Sequence, residues 1–307
     1  MLQALEDPPK TADPFFWADF AELRALVHPD ECFSRGDLAS LAKRIRDTAS
    51  GRSFDPETRW RDLISFAGAR GQAFGAAYPF RVSGDDDTLE LTAANSSEQR
   101  TYLQLLLASL MRHVPSKRRG ELARFFEMTC FLVFLHLMPE GAEIRSTWAN
   151  GGEQAPYQGT LFQKMQQIAR DIRCTPNFKE HDFKATDTGD GNIDLIAWHP
   201  MSDNRPGIPI AFAQCGCSKD DWRFKHLQAS YANHSWRLPV MHPWAAYYFL
   251  PIDLRRADGG WAYQGDIGQA IIVDRLRILR LSSQYGLHEK LPHLPLLADV
   301  QAVKYAY

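Results

Sequence analysis

The chain lacks any long hydrophobic run and any strong excess of charge of one sign. Its longest apolar stretch with a helical pattern, MTCFLVFLHLM at residues 128–138, is shorter than the roughly 20 residues needed to span a bilayer. No basic segment followed by an apolar one opens the sequence, so we expect no signal peptide, no membrane association and a cytoplasmic location. The formal net charge of −2 excludes a globally basic protein, so any nucleic acid would have to bind a local patch.

Cysteine is also scarce, and its spacing does not predict disulfides. The five cysteines are odd in number and lack the spacing of a disulfide framework, which fits a reducing compartment. Cys215 and Cys217 form a Cys-x-Cys pair that could join His199, His226 or Cys174 in a zinc site, or supply a nucleophilic thiol. No second cysteine pair occurs at zinc-finger spacing, and a free cysteine on an apolar strand behaves as a small hydrophobe. We therefore expect this segment to be reduced and to hold no metal.

Internal repeats and low-complexity tracts are absent as well, so organisation has to be inferred from hydrophobic periodicity. At 307 residues, with 45% hydrophobic and 23% charged residues, the chain has ordinary globular composition. A β-hairpin is expected around the acidic turn SGDDD at 83–87. We place a boundary at the basic, loop-like segment PSKRRG (115–120), which divides the chain into regions 1–115 and 116–307. Helical periodicity in the first region predicts helices at 13–27, 34–49, 58–74 and 97–114.

The second region has the pattern of an α/β protein. Its first helix, at 121–138, is apolar on most faces, which is typical of a helix buried between layers. An amphipathic helix at 160–174 follows, and residues 220–236 are expected to form a helix or an irregular arm. Strands are predicted for IDLIAW (193–198), IPIAFAQC (208–215), AAYYFLP (245–251) and the start of segment 269–284, which then becomes helical.

Two polar residues interrupt the first two of these strands. Asp194 is the second residue of IDLIAW, and Gln214 lies near the end of IPIAFAQC. If the strands form an antiparallel hairpin, the start of the first lies beside the end of the second, so these side chains share one end of the ladder. Oxygen atoms of a carboxylate and an amide can share a Mg²⁺ ion, whereas the alternative is a strand end whose polar groups are simply solvated.

These residues carry a family resemblance. GNIDLIAW (191–198) and IAFAQC (210–215) resemble the PD-(D/E)XK nuclease superfamily, in branches where Gly-x-Ile-Asp is followed by Gln-x-Lys. The resemblance implies that Asp194 and Gln214 are catalytic residues and metal ligands, and that Glu127 on the preceding helix is a third. Judged without the resemblance, Glu127 is also placed for an ion pair with Arg124.

The chain departs from the family pattern at the lysine that follows two residues after the glutamine. That position is Gly216, which cannot orient a water molecule or stabilise charge on a phosphate. Lys219 and Lys225 in SKDDWRFKH (218–226) are candidates for a displaced lysine. We favour Lys225 because a helix over 220–228 would let it point back to the strand end, although either residue is otherwise an ordinary exposed lysine.

The resemblance implies an α/β fold: a restriction-endonuclease-like core with a mixed sheet flanked by helices, preceded by a mainly helical region with a β-hairpin. The implied function is a Mg²⁺- or Mn²⁺-dependent nuclease, acting on nucleic acid, by preference DNA, in a bacterial phage-defence or restriction system. Region 1–115 would then position the substrate or a protein partner such as a helicase or ATPase, and a homo-oligomer is compatible. The alternative is a catalytically degenerate subunit that binds nucleic acid or a partner protein in a defence complex.

Basic residues near the end of the chain are a further candidate feature. Arg275, Arg277 and Arg280 in DRLRILR cannot all share one helical face. Arginines that flank a metal-containing cleft would contact phosphates, whereas the alternative is a solvated helix face.

Overall fold

A computed structural model describes residues 2–48, 55–148, 155–217 and 222–305. By internal packing the chain divides into two compact units. The first unit comprises residues 1–126, 251–264 and 274–307, and the second comprises 127–250 and 265–273. The division differs from a single boundary near residue 115, because the chain returns to the first unit twice, once before and once after the last strand of the second unit's sheet. In the described part of the chain, no helix has the length and apolarity needed to cross a membrane.

Both units contain helices and strands. The helices are α1 (Pro14–Val27), α2 (Arg35–Thr48), α3 (Pro56–Phe74), α4 (Ser97–Ser109), α5 (Ser116–Leu137), α6 (Leu161–Asp171), α7 (Trp222–Lys225), α8 (Tyr231–His234), α9 (Arg275–Gln284) and α10 (Pro295–Ala302). The strands are β1 (Cys32–Ser34), β2 (Phe80–Val82), β3 (Thr88–Leu91), β4 (Glu143–Ser146), β5 (Leu195–Trp198), β6 (Ile210–Cys215), β7 (Ala245–Phe249) and β8 (Ile271–Val273).

The first unit is mainly helical and contains a small antiparallel sheet in the order β1-β3-β2. The predicted hairpin is confirmed, because β2 and β3 pair across the acidic turn with Val82 opposite Leu89. Strand β1, which pairs with β3, was not predicted, since three residues give no measurable alternation. The segment PSKRRG is not a loop: residues from Ser116 onward form the first turn of α5, where the preceding proline is tolerated.

A network of buried ion pairs forms part of the first unit's core. Two arginines, Arg70 and Arg275, both contact the carboxylate of Asp19, at 2.8 Å in each case. Arg70 also pairs with Glu22 at 2.7 Å and with Asp253 at 3.1 Å. Burial raises the pKa of Asp19, but the positive charges of Arg275 and Arg70 lower it more, so the pKa lies below its usual range. Arg275 is therefore neither a phosphate-contacting nor a solvated residue, because it is fully buried against these partners.

Asp253 gives this network a pH dependence. Burial outweighs the attraction of Arg70 and raises the pKa of Asp253 from 3.8 to about 6. Between about pH 4 and pH 6, Asp253 therefore stays protonated in the folded state but is ionised in the unfolded chain. Within this range, the group makes the free energy of unfolding fall as pH rises, by at most about 1.4 kcal/mol per pH unit. We expect Asp253→Asn to flatten the slope, measured by denaturant titration from pH 4 to pH 7. An unchanged slope would contradict this assignment.

The second unit is built on a five-stranded mixed sheet in the order β4-β5-β6-β7-β8. Strands β4, β5 and β6 are antiparallel, and β6, β7 and β8 are parallel. Helix α6 packs on one face of the sheet, with Met165 in the same core cluster as Ile196 and Phe212. On the other face, Phe134 of α5 contacts the rings of Tyr247 and Phe249. The expected α/β class, with a mixed sheet flanked by helices, is thus confirmed.

Candidate functional site

Asp194 lies immediately before β5, at the end of the sheet where β6 finishes. Its backbone N–H donates to the carbonyl of Ala213 at 2.9 Å, although Ala213 is the register partner of Leu195. Two successive residues therefore face one residue of the neighbouring strand, which is the pattern of a β-bulge. The Asp194 carboxylate accepts a hydrogen bond of 2.6 Å from the backbone N–H of Cys215, the last residue of β6. The hairpin thus brings Asp194 to the end of β6, as the sequence predicted.

The environment of Asp194 disfavours its charged form. The residue is only 5% exposed, and this burial is the main reason that its pKa is raised well above the usual range. The negative charges of Asp190 and Glu127 raise the pKa further. The hydrogen bond from Cys215 and the positive charge of Lys225 act in the opposite direction but do not compensate. A buried carboxylate whose ionised form is disfavoured in this way would be stabilised by a bound cation.

Glu127 and Lys225 both belong to the surroundings of this carboxylate. Glu127 is half-buried on α5, and Lys225 is the half-buried last residue of α7. Each charge acts on Cys217 as well as on Asp194, Glu127 raising and Lys225 lowering the pKa of both groups. The charges of these two sequence-predicted residues therefore act on the same sheet end as Asp194. Lys219 falls outside the described residues.

Gln214 contributes an amide oxygen that lacks a hydrogen-bond donor in the described part of the chain. The residue is half-buried on β6, and its Oε1 atom is buried with no hydrogen-bond partner in the described ranges of the chain. A buried acceptor left without a donor costs about 1–3 kcal/mol. Gln214 lies next to Ala213, whose register partner is Leu195, so it stands beside Asp194 at the same sheet end. Its oxygen is therefore a hard acceptor at this sheet end without a donor among the residues described.

Tyr248 explains the glycine that replaces the expected lysine. Tyr248 is the register partner of Gln214 on β7 and is fully buried. A Cβ atom added at Gly216 would lie 2.1 Å from the Tyr248 hydroxyl and 2.9 Å from the carbon that carries it. No side chain fits at position 216 unless the tyrosine moves. Position 216, where the sequence resemblance leads us to expect a lysine, is therefore sterically closed.

The close approach of Tyr248 to position 216 leads to a prediction about stability. Gly216→Ala is expected to destabilise the protein by about 1–3 kcal/mol, the range for overpacking a well-packed site. Tyr248→Phe removes the nearer of the two contacts, so the cost of Gly216→Ala should be smaller in the Tyr248→Phe background. Urea unfolding of the four proteins gives the coupling energy. Additive effects of the two changes would show that the tyrosine is not the obstacle.

Three cysteines surround the same sheet end. The thiols of Cys130 and Cys215 are hydrogen-bonded, and burial raises the pKa of both and of Cys217. The charges of Asp194 and Glu127 raise all three pKa values further, which disfavours thiolates. All five cysteines are free thiols. Within the described residues, no three His, Cys, Asp or Glu side chains are grouped so as to hold a metal ion.

Asp190 is the member of this site that sequence reasoning missed. It belongs to the Gly-Asp-Gly-Asn turn before β5, where its Oδ1 atom accepts a hydrogen bond of 2.8 Å from the Asn192 N–H. An acid in such a turn has an obvious local role, so its effect on Asp194 gives no signal in the sequence. Only its position in the chain, four residues before Asp194, could have indicated that it lies near that residue.

Comparison of the chain with protein-family models, with curated proteins and with solved structures finds no match.

Proposed function

We propose that the second unit is a Mg²⁺- or Mn²⁺-dependent nuclease that hydrolyses phosphodiester bonds at the sheet end marked by Asp194. The observation that carries this proposal is the buried Asp194 carboxylate, which is fixed by the Cys215 amide and subject to the charges of Glu127, Asp190 and Lys225. A buried acid at the end of a strand hairpin, within reach of the charges of further acids and of a lysine, has the residue types of a metal-dependent phosphodiesterase site.

The residues present suit a magnesium ion better than a closed metal cage. Mg²⁺ is commonly held by one or two carboxylates and keeps several water molecules. Asp194 and Glu127 would supply the carboxylates, and the unpartnered Oε1 atom of Gln214 is a third hard oxygen. Such an ion supplies an acidified water molecule and neutralises charge on the phosphate.

The side chains of the protein would perform the remaining tasks. The positive charge of Lys225 favours the ionised form of Asp194, and the same ammonium group can donate hydrogen bonds to a phosphate oxygen and to the attacking water. The Cys215 N–H fixes the orientation of the Asp194 carboxylate, so little reorganisation is needed when substrate binds. Lys225 thus takes the role that Gly216 cannot fill.

The second candidate function is a nuclease-like subunit without catalysis, which binds nucleic acid or a protein partner. The Tyr248 hydroxyl favours this reading, because it occupies the space next to Gly216 that a lysine side chain would need. A role in bacterial phage defence or restriction, with DNA as substrate and a helicase or ATPase as partner, follows from the sequence resemblance. Both candidates share that context.

Cleavage assays distinguish the two functions. We expect the wild-type protein to cleave single- or double-stranded DNA or RNA with Mg²⁺ or Mn²⁺ and to be inactive in EDTA. The same ions should raise the melting temperature by mass action, since they bind the folded state. If no divalent ion supports cleavage or stabilises the protein, with or without its partners, the binding-subunit function stands.

Lys225→Ala tests the displaced lysine. We expect cleavage to fall by about a hundredfold, the lower part of the range for a group that assists proton transfer. Stability should change by no more than about 0.5 kcal/mol, as for most residues near the surface. Lys179→Ala is the matched control, because Lys179 is exposed in the same unit. Full activity of Lys225→Ala, with Asp194→Asn inactive, would reassign the role to Lys219.

A further inference from the structure

A second polar site lies beside the Asp194 cluster in the same unit. The loop 187–192, Gln228, Asn233, His234 and Arg237 line a pocket of about 490 Å³. This volume falls within the roughly 300–1,000 Å³ of small-molecule pockets. The loop is held in place by two contacts of its own: the Lys164 ammonium donates to the Thr188 carbonyl at 2.7 Å, and the Gly189 N–H donates to Asp187 at 2.9 Å.

His234 lines this pocket and carries an unused acceptor. The side chain is 4% exposed, and its Nε2 atom lies 2.7 Å from the Gln228 carbonyl oxygen. Because a carbonyl only accepts, Nε2 carries the hydrogen, which leaves Nδ1 as the acceptor in the neutral ring. Burial and the charge of Arg237 lower the pKa of His234, so the neutral form is favoured. Nδ1 is buried and has no hydrogen-bond partner within the parts of the chain that are described.

Arg237 also lines the pocket and carries an unused donor. Its Nε atom is buried and likewise has no hydrogen-bond partner in the described segments. The guanidinium group lies over two aromatic rings, 5.1 Å from the centroid of Phe183 and 4.9 Å from that of Trp236. These contacts limit its motion and hold the donor in position. The pocket therefore combines a fixed donor with a fixed acceptor.

The pocket also adjoins the candidate catalytic residues. Asp190 lines it, and the charge of Asp190 acts directly on Asp194. Because Asp190 precedes Asp194 by four residues in the chain, the pocket and the Asp194 cluster lie on the same segment before β5.

We propose that this pocket binds the base of the nucleotide adjoining the phosphodiester bond that is cleaved at Asp194. A nucleobase edge places a hydrogen-bond donor beside an acceptor, which is what the Nδ1 atom of His234 and the Nε–H of Arg237 require. Enzymes that recognise an unstacked base in a pocket bind the same edge through hydrogen bonds. The side-chain amides of Gln228 and Asn233 add further groups able to discriminate between bases. This inference rests on the proposed nuclease function.

Nucleotide binding without a divalent ion tests the pocket separately from cleavage. The four deoxynucleoside 5′-monophosphates, with deoxyribose 5-phosphate as a control, are titrated into the full-length protein in EDTA by calorimetry. We expect at least one nucleotide to bind about tenfold or more tightly than the sugar phosphate. Arg237→Lys, which keeps the charge and removes the Nε donor, should lose about tenfold of that affinity. Arg170→Lys, an exposed change on α6, should bind like wild type.

A second measurement does not depend on a variant that folds. In the ¹⁵N spectrum of the wild-type protein, the Nδ1 resonance of His234 should shift when the preferred nucleotide binds, because that nitrogen then accepts a hydrogen bond. Equal binding of nucleotides and sugar phosphate, or an unmoved Nδ1 resonance at saturation, would overturn base recognition. Cleavage without base binding would reject the pocket alone, whereas base binding without cleavage would support the pocket and reject the nuclease function.

Discussion

Asp194→Asn is expected to lower metal-dependent cleavage by at least about 10³-fold, because loss of metal-assisted charge stabilisation costs several kcal/mol in the transition state. The amide keeps the size of the carboxylate and can still accept the hydrogen bond from the Cys215 N–H. It removes the negative charge that a divalent ion needs. Initial rates on a labelled substrate, at saturating Mn²⁺, provide the measurement.

The same substitution should make the metal-free protein more stable at neutral pH. Burial raises the pKa of Asp194 well above its usual range, so the folded state holds a proton that the unfolded chain has already released. The contribution of this group to stability is therefore present at low pH and is lost as pH rises through the raised pKa. We expect Asp194→Asn to gain about 1–3 kcal/mol at pH 8, the range for relieving a poorly satisfied buried group.

An exposed acid in the same unit separates these effects from a general loss of charge. Asp203 is exposed and pairs with Arg173, so Asp203→Asn should leave cleavage unchanged and stability within about 0.5 kcal/mol. The stabilisation of the wild type by Mn²⁺ should disappear in Asp194→Asn and persist in Asp203→Asn. A stable Asp194→Asn protein that cleaves at the wild-type rate would remove Asp194 from the proposed site.

The sequence predicted the part of the site that depends on neighbouring residues. A hairpin brings Asp194 and the end of β6 together because its two strands are adjacent in the chain, so their alternation and turn determine the pairing. Lys225 was placed near Asp194 by the same local reasoning, as a short helix following that strand. Local patterns thus sufficed for the hairpin and its polar end.

The parts of the site that depend on distant pairing could not be predicted. The obstruction at Gly216 requires β7 to lie parallel to β6 with Tyr248 beside Gln214, and that register follows from packing across the sheet. Strand β4 has only four residues, the first exposed and the other three half-buried, and so short a pattern gives no signal in the sequence. Gly216 was therefore a reason to doubt catalysis from the sequence alone, whereas the steric cause of the glycine depends on the pairing of β6 with β7.

Buried charges in the first unit were missed for a different reason. Asp19 and Glu22 lie in α1, where acids between apolar residues normally indicate a solvated face. Their partners come from α3 and α9, so the pairing depends on contacts between residues far apart in the chain. Helical periodicity is informative only when polar residues face water, and here they face one another.

Arg275→Met is expected to be the most destabilising of the substitutions considered, at about 3–5 kcal/mol, the range for breaking a buried ion pair. The fully buried guanidinium donates to both carboxylate oxygens of Asp19, at 3.0 and 2.8 Å, to the Ser109 hydroxyl at 2.9 Å and to the Pro251 carbonyl at 2.7 Å. Methionine fills part of the volume but supplies no donor, so Asp19 loses one of its two arginines. Urea denaturation followed by circular dichroism measures the loss.

A neighbouring arginine on the same helix shows whether burial causes the effect. Arg280 is exposed and donates one hydrogen bond, to the Ala73 carbonyl at 3.1 Å, so Arg280→Met should cost no more than about 1 kcal/mol. Combining Arg275→Met with Asp19→Asn should recover part of the lost stability, because the carboxylate left without its partner is then neutral. If Arg275→Met and Arg280→Met cost the same, the network contributes no more than a surface ion pair, and the charges it buries would have to be explained by something other than stability.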